Sequence, residues 1–365
     1  MTVLYRKYRP QNFSEVVGQE HIVKTLTNSI LGNNISHAYL FTGPRGSGKT
    51  TIARLFAKAI NCENSKNAEP CNKCSSCLEI ISSRSIDLIE IDAASHRSID
   101  DIRELREGIK FAPVKSKYKI FIIDECHQLS KDAANALLKT LEEPPSYAIF
   151  LLATTEANKM ISTIVSRCQR FDFRRLQNTE IIKKLEYISK KENIKFEDSA
   201  FPLIALNSRG SFRDAESLLD QCISFAGEKE IIKTQDIKNL LGIVEIGQIA
   251  QFVDFLVSKN TKNAVLSLNS LIDDGIDLTE FTKTLVFYLR QALLLKISPE
   301  FLNLQNSGLS VLEIEKMKSQ ISNLTQNEIQ NMLELFILSE NKIKFSTLAQ
   351  LPLELAIIDI THQES

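Results

Sequence analysis

The sequence lacks an excess of charge of either sign, a long apolar run and any repeated or low-complexity segment. Its 365 residues carry 44 lysines and arginines against 45 aspartates and glutamates, which gives a net charge of −1. This balance excludes a uniformly basic nucleic-acid binder, so any contact with nucleic acid is local or is formed by an assembly. No stretch reaches the roughly 18 apolar residues of a membrane span, and the first residues lack the apolar core of a signal peptide. We therefore expect a cytoplasmic protein without membrane contact.

The pattern of apolar residues divides the chain into an α/β part and a helical part. Continuous apolar runs alternate with helical patterns up to about residue 173, which is typical of a parallel sheet covered by helices on both faces. The runs predicted as strands are 38–42, 86–92, 118–124 and 148–155. Residues 178–242 then predict several short helices, and residues 244–360 are helical in pattern almost throughout.

A glycine-rich segment, GPRGSGKT, lies between the first predicted strand and an amphipathic helix. It fits the phosphate-loop pattern G-x-x-x-x-G-K-[ST], in which backbone N–H groups surround phosphates at the positive end of a helix. Lys49 would reach the β- and γ-phosphates, and the hydroxyl group of Thr50 would hold Mg²⁺. An ordinary glycine-rich turn is the alternative, but the flanking strand and helix favour a nucleotide site. The residues predicted to bind the nucleotide here are Gly43, Pro44, Arg45, Gly46, Ser47, Gly48, Lys49, Thr50 and Thr51.

A pair of acidic residues ends a later apolar strand, in the segment FIIDECH. Such a pair is costly at the end of a buried strand unless a positive charge lies nearby. Asp124 suits Mg²⁺, directly or through water, and Glu125 suits polarising a water molecule for attack on the γ-phosphate. A solvated strand end is the alternative, yet the phosphate loop in the same α/β domain favours the catalytic interpretation. His127 is given no role.

Four of the seven cysteines lie in a short polar stretch after the phosphate-loop helix. The spacing C-x8-C-x2-C-x2-C is formed by Cys62, Cys71, Cys74 and Cys77. The polar residues between them argue against core packing, and a reducing cytosol argues against disulfides. An iron–sulfur cluster fits less well, because Leu78 follows where a further cysteine and a proline would be expected. Four thiolates best fit a closed zinc site, which would replace a missing apolar core and do no chemistry.

Several segments in a fixed order carry a resemblance to a known family. They are HAYLFTGPRGSGKTT, the four cysteines, FIIDECHQLS, ALLKTLEEPP, LLATTE, SRCQRF and GSFRDAESLLDQ. Together with the N-terminal YRKYRPQNFSEVVGQE, they closely resemble the gamma/tau subunits of bacterial DNA polymerase III, which are AAA+ clamp-loader ATPases. The likeness is strong over the first 242 residues and has weaker motifs in the helical remainder.

The resemblance implies roles for residues that spacing alone does not assign. Thr155 matches a sensor of the γ-phosphate, and Arg213 in GSFRDA matches a second sensor that reaches the nucleotide from the helical lid. Arg167 in SRC, after the predicted helix NKMISTIV, matches an arginine finger that enters the site of the neighbouring subunit. From the residues alone, Arg167 would only be a dipole partner at a helix end. The residues that the resemblance places against adenine and ribose are Tyr8, Arg9, Pro10 and Val17, with Gly18 and Gln19.

The resemblance also implies an architecture and an activity. We expect an AAA+ P-loop ATPase domain at residues 1–177 with an inserted zinc module at 62–77, a helical lid domain at 178–242 and an all-α collar domain at 243–365. With ATP, Mg²⁺ and Zn²⁺ as cofactors, the chain would hydrolyse ATP to load the sliding clamp onto primed DNA. It would work in a hetero-pentamer that contains several copies of it and related subunits. Candidates for contacts with DNA phosphates are Arg97 and Arg103, for which a solvated helix end is an equally good explanation.

Two other functions compete with this one. A different AAA+ motor, such as a branch-migration helicase, would lack the inserted cysteines. A non-hydrolysing clamp-loader scaffold would have lost the phosphate-loop lysine or the Asp-Glu pair. Both features are present, which favours a clamp-loading ATPase. No polymerase active site is visible, so nucleotidyl transfer would belong to the DNA-directed DNA polymerase holoenzyme and not to this chain.

Overall fold

The chain divides into two compact units, Met1–Thr234 and Gln235–Ser365. The computed structural model describes residues 3–95, 108–109, 111–226, 231–242, 245–298, 310–322 and 324–362. Within these ranges, every helix is too short or too polar to cross a lipid bilayer.

A parallel sheet of five strands forms the centre of the first unit. The strands are β1 Ala38–Thr42, β2 Leu88–Asp92, β3 Lys119–Asp124, β4 Ala148–Thr154 and β5 Gln169–Asp172, in the order β2-β3-β4-β1-β5. In the register of the ladder, Thr42 lies opposite Thr154 and Asp92 lies opposite Asp124. Because all strands are parallel, their carboxyl ends meet at one edge of the sheet, where the phosphate loop and the acidic pair follow β1 and β3.

Helices cover both faces of this sheet. The described helices up to β5 are α1 Leu4–Lys7, α2 Glu20–Leu31, α3 Lys49–Ile60, α4 Ser75–Ile81, α5 Lys131–Glu142 and α6 Ser162–Val165. Those that cover the sheet are α2 and α3 on one face and α5 and α6 on the other. On one face Leu26 of α2 and Phe56 of α3 are fully buried in one apolar cluster, and on the other Leu137 of α5 and Ile164 of α6 belong to a second cluster. Both β1 and β4 are buried at every residue, which explains their continuous apolar sequences.

Two local predictions differ from the structure. Strand β5 was missed, because Phe171 is its only buried residue and an edge strand of this kind has no continuous apolar run. The single helix expected over NKMISTIV is wrong. A 3-10 turn at Ala157–Lys159 and the short helix α6 are separated by Met160 and Ile161, whose backbones are extended with ψ angles of 143° and 125°.

The rest of the first unit is mainly helical. Its elements are α7 Asn178–Glu192, β6 Lys195–Phe196, α8 Ala200–Asn207, α9 Phe212–Ala226 and β7 Ile231–Ile232, and α10 Thr234–Leu241 begins where this unit ends. Helix α7 begins with a capping box between Gln177 and Glu180 and ends at Asn193, whose φ angle of +57° stops the helix. Lys184 of α7 and Arg213 and Glu216 of α9 line a cavity beside the phosphate loop.

The second unit is built from helices only, as far as the structure describes it. They are α11 Ile246–Val257, α12 Thr261–Asp273, α13 Leu278–Ile297, α14 Val311–Ile321, α15 Gln326–Ile343 and α16 Leu351–His362. The centre of their core holds Phe252, Phe281 and Phe336, and the first two rings meet edge to face with centroids 5.1 Å apart. The buried Tyr288 hydroxyl donates to Gln320 Oε1 over 2.7 Å, so this polar group inside the core is satisfied.

Candidate nucleotide-binding site

The phosphate loop lies between β1 and α3, and its glycines occupy positions that other residues fit poorly. Gly46 has a φ angle of +74°, and a Cβ atom on it would lie 1.9 Å from the Ser211 hydroxyl oxygen, just before α9. Gly48 has a φ angle of +98°, and a Cβ atom on it would meet nothing within 4 Å. The loop is therefore closely packed at Gly46 and open at Gly48, directly before the N-terminus of α3, where an anion is favoured.

The Lys49 side chain is held by the loop itself. Its Nζ atom donates to the carbonyl oxygens of Gly43 and Pro44 at 2.8 and 2.9 Å. Burial lowers the pKa of Lys49, while the carboxylates of Glu125 and Asp124 act in the opposite direction. The ammonium group is therefore largely shielded from water. Its attraction to a negatively charged group of a ligand is stronger there than it would be in water.

The acidic pair at the end of β3 faces the phosphate loop. Thr50 Oγ1 donates to Asp124 Oδ2 over 2.6 Å, so a hydroxyl and a carboxylate oxygen lie side by side. Glu125 has a φ angle of +46°, an uncommon backbone conformation for a glutamate. Its Oε2 atom accepts hydrogen bonds from Thr155 Oγ1 at 2.8 Å and from Thr155 N at 3.2 Å. Thr155, which follows β4, thus contacts the carboxylate that sequence reasoning assigned to catalysis.

His127 also lies beside this carboxylate, which the sequence did not predict. Its Nδ1 atom is 3.0 Å from Thr154 Oγ1 and 3.5 Å from Glu125 Oε2, and its Nε2 atom is 3.4 Å from Glu156 Oε1. The side chain is almost fully buried, with 7% exposed. No spacing rule in the sequence signals this contact, because it depends on the 3-10 turn Cys126–Gln128 that folds the ring back towards β4.

A cavity of about 190 Å³ opens beside the phosphate loop. Most of the predicted site residues line it: Arg9, Pro10, Val17, Arg45, Gly46, Ser47, Gly48, Lys49, Thr50, Thr51, Asp124, Glu125 and Arg213. The predicted residues that do not line it are Tyr8, Gly18, Gln19, Gly43, Pro44, Thr155 and Arg167. The lining residues that sequence reasoning missed are Tyr5, Glu15, Val16, Ile52, Lys184, Phe212 and Glu216.

The tyrosine of this cavity is Tyr5 and not Tyr8. The Tyr8 hydroxyl is hydrogen-bonded to Glu192, and its ring meets Tyr187 edge to face with centroids 6.4 Å apart. Tyr5 instead lines the cavity, with the Arg213 guanidinium group 5.0 Å from the centre of its ring. These contacts with α7 hold the Tyr8 side chain outside the cavity, and its place against adenine and ribose stays a prediction.

The two arginines to which the resemblance gives roles in sensing and in trans, Arg213 and Arg167, lie in different surroundings. Arg213 is in the first turn of α9 and reaches the cavity. Arg167 lies beyond α6, where it donates to Glu142 Oε1 over 2.7 Å and to the carbonyl oxygen of Thr163 over 2.9 Å. About a third of its side chain is exposed. The two arginines predicted to contact DNA phosphates, Arg97 and Arg103, lie outside the described residues.

The four predicted cysteines come together in one cluster after α3. The sulfur atoms of Cys62, Cys71, Cys74 and Cys77 all lie within 4.8 Å of one another. The distance is 4.0 Å both from Cys62 to Cys74 and from Cys71 to Cys77, close to the roughly 3.8 Å between sulfurs around a tetrahedral zinc. The N–H groups of Lys73 and Cys74 point at Cys71 Sγ and lower the pKa of that thiol to about 6. The cluster can therefore hold a metal ion.

This cysteine cluster is attached to the N-terminal segment of the chain. The Glu69 carboxylate accepts from the N–H groups of Phe13 and Ser14 at 2.7 and 2.8 Å. In addition, Asn72 Nδ2 donates to Asn12 Oδ1 over 2.8 Å. The segment held in this way leads directly into Glu15 and the two valines that line the cavity.

Comparison with known proteins covers nearly the whole chain. The chain is 35% identical to a DNA polymerase III subunit gamma from Buchnera aphidicola (subsp. Acyrthosiphon pisum), over 98% of both proteins. The chain belongs to the gamma/tau subunit family of bacterial DNA polymerase III. It is also 43% identical to the tau subunit of Bacillus subtilis and 37% identical to that of Escherichia coli, over 99% and 98% of its own length. It spans 64% and 54% of those two tau subunits.

Three family profiles match successive parts of this gamma/tau chain. Residues 18–177 match "DNA polymerase III, delta subunit", residues 180–228 match "DNA polymerase III clamp loader subunit, ATPase lid domain", and residues 232–365 match "DNA polymerase III subunits gamma and tau domain III". Among solved structures, a RuvB branch-migration motor from Thermotoga maritima is similar over 68% of this chain and 79% of its own, with 18% identity and a TM-score of 0.49. A similarity of this size supports no conclusion about function.

Proposed function

We propose that the first unit binds ATP with Mg²⁺ and hydrolyses it. The observation that carries this proposal is the convergence, at one cavity, of the phosphate loop, the Thr50–Asp124 pair and the carboxylate of Glu125. The three features come from the ends of β1 and β3 and from the start of α3. Together they supply the cation, the metal ligands and the base that transfer of a phosphoryl group to water requires.

The phosphate chain of ATP would lie along the loop. The open space at Gly48 admits the phosphates to the N-terminus of α3, and Lys49 would exchange its two carbonyl partners for oxygens of the β- and γ-phosphates. The donor set beside it fits Mg²⁺, because Thr50 and Asp124 offer a hydroxyl and a carboxylate oxygen at adjacent positions. When bound, Mg²⁺ would offset the negative charge of the β- and γ-phosphates.

Glu125 would accept the proton of the attacking water. The water oxygen forms a bond to the γ-phosphorus, the bond from that phosphorus to the β–γ bridging oxygen breaks, and ADP leaves with that oxygen. Thr155 donates two hydrogen bonds to the carboxylate, and His127 lies 3.5 Å from it, so both residues position Glu125. Arg213 at the start of α9 would sense the phosphates from the helical side of the cavity.

We further propose that this ATPase is a clamp-loading subunit of the replicative polymerase. Membership of the gamma/tau family supports this assignment. The chain would act in the cytoplasm within a pentamer of related subunits, with a sliding clamp and primed DNA as its partners. The proposed order of domains is ATPase 1–177, lid 178–242 and collar 243–365. Arg167, which is absent from the cavity of its own chain, would serve the site of a neighbouring subunit.

For the four cysteines we propose a structural zinc ion. Their sulfur separations, together with the N–H groups that point at Cys71 Sγ, suit four thiolate ligands around a tetrahedral ion. Four protein ligands leave no open coordination position, so the ion would hold the inserted segment together and take no part in hydrolysis.

The test of the clamp-loader proposal is ATPase activity in the reassembled complex, with and without clamp and primed DNA. We expect hydrolysis to rise when both are present. A branch-migration motor would instead respond to branched DNA without clamp, and a scaffold subunit would contribute no hydrolysis when the other ATP sites are inactivated. Hydrolysis that is indifferent to clamp and primed DNA would refute the loader proposal.

A further inference from the structure

One buried carboxyl group in the cavity has no part in the proposed mechanism. Glu216 lies on α9, one turn beyond Arg213, and lines the same cavity as the phosphate loop. Only 7% of the residue is exposed. A glutamate is rarely buried to this extent unless a charge or a hydrogen bond compensates it.

Within the described part of the chain, no hydrogen bond or ion pair joins this carboxyl group to another residue. The positive charges that act on it are those of Lys184 on α7 and Arg9 in the N-terminal segment. The Arg213 guanidinium group lies against the ring of Tyr5. Glu216 therefore lines the cavity as a largely buried residue whose carboxyl group has no hydrogen-bond partner among the described residues.

The chemistry of ATP limits what that partner can be. A carboxylate only accepts hydrogen bonds, and the ionised phosphates of ATP offer no donor. The donors of the nucleotide are on its nucleoside part, namely the 6-amino group of the base and the hydroxyl groups of the ribose. A contact with phosphate would also bring two negative charges together, whereas Arg45 and Lys49 already serve that end of the cavity.

We propose that Glu216 recognises the nucleoside part of the bound nucleotide by accepting a hydrogen bond from one of these donors. The inference rests on the proposed function, since it takes ATP as the ligand of the cavity. It assigns to α9 a second contact with the nucleotide, one turn from the one expected for Arg213. Burial raises the pKa of Glu216 to about 7, which agrees with a carboxyl group that has lost most of its solvation.

Equilibrium binding of four nucleotides at pH 8 tests this inference. The ligands are ATP, purine riboside triphosphate without the 6-amino group, 2′-deoxy-ATP and 3′-deoxy-ATP. The proteins are the wild type, Glu216→Leu, Glu216→Gln and the control Glu143→Gln, which alters an exposed glutamate of the same unit. One of the three analogues lacks the donor group that Glu216 contacts. That analogue should bind the wild type and the control about 10-fold more weakly than ATP does.

In Glu216→Leu that difference should fall to within about twofold, because the acceptor is gone. Glu216→Gln keeps an acceptor oxygen and should retain part of the difference, which also guards against a misfolded leucine variant. If the affinity difference that disappears is the one between ATP and the purine riboside analogue, Glu216 contacts the 6-amino group of the base. If it is the one between ATP and a deoxy analogue, Glu216 contacts the corresponding ribose hydroxyl. If the ratios of affinity are the same in the wild type and in both Glu216 variants, the inference is wrong. Absence of ATP binding by the wild type would instead overturn the proposed function.

Discussion

The buried carboxyl group of Glu216 should make the stability of the nucleotide-free first unit depend on pH. Burial raises the pKa of this group from the ordinary value of 4.5 to about 7, and Lys184 and Arg9 only partly oppose the effect. The folded protein therefore holds the proton more tightly than the unfolded chain does. The cost of the buried group is absent well below pH 4.5, grows as the pH rises towards 7, and is complete above about pH 7.

The size of this cost follows from the two pKa values. At about 1.4 kcal/mol for each pH unit between 4.5 and about 7, the full cost is roughly 3 kcal/mol. At pH 5 the same relation gives a stability cost of only roughly 1 kcal/mol, because most of the Glu216 carboxyl groups are still protonated in the folded protein. Glu216→Gln removes the ionisable group at nearly constant shape. The variant should thus be more stable than the wild type, and its advantage should grow by roughly 2 kcal/mol from pH 5 to pH 8.

Urea unfolding followed by circular dichroism at both pH values measures this difference. Glu143→Gln is the matched control, because its side chain is exposed and its removal should change stability by a similar small amount at both pH values. An advantage of Glu216→Gln that is the same at pH 5 and pH 8 would show that this carboxyl group ionises as it does in water.

Four further predictions concern the proposed ATPase. Lys49→Ala should weaken binding of a fluorescent ATP analogue roughly 100-fold through loss of the buried charge, and unchanged affinity would mean that the phosphate loop is misassigned. Glu125→Gln should bind ATP normally but turn it over about 10² to 10⁴ times more slowly; near wild-type turnover would refute its role as base. Arg167→Ala should lower the activity stimulated by clamp and DNA about 10³-fold in the complex, and mixing it with Lys49→Ala chains should restore part of that activity; an assembled mixture without activity would argue against action in trans. Elemental analysis should find one zinc ion per chain, and its removal should expose residues 62–77 to protease while ATP binding persists; iron with sulfide would contradict the zinc proposal.

The residues that a local pattern marks could be predicted from the sequence alone. Strands β1, β3 and β4 can be predicted because both faces of a central parallel strand are buried, which requires a nearly continuous apolar sequence. The phosphate loop is recognisable because it binds largely through backbone groups, which only glycine at set positions permits. The cysteine spacing is equally local. In each case the physical requirement falls on residues that are close together in the chain.

What the tertiary structure decided is which distant residues share one cavity. Tyr5 lies there and Tyr8 does not, since Glu192 on α7 engages the Tyr8 hydroxyl. Glu216 lines the cavity of the phosphate loop because Ser211, just before α9, packs against Gly46, although these two residues are 165 positions apart in the sequence. Side-chain spacing along a helix gives the face on which a residue lies but not the element that the face meets. The charge state and the partner of a buried carboxyl group depend on which element packs against its helix, so they are determined only in the folded chain.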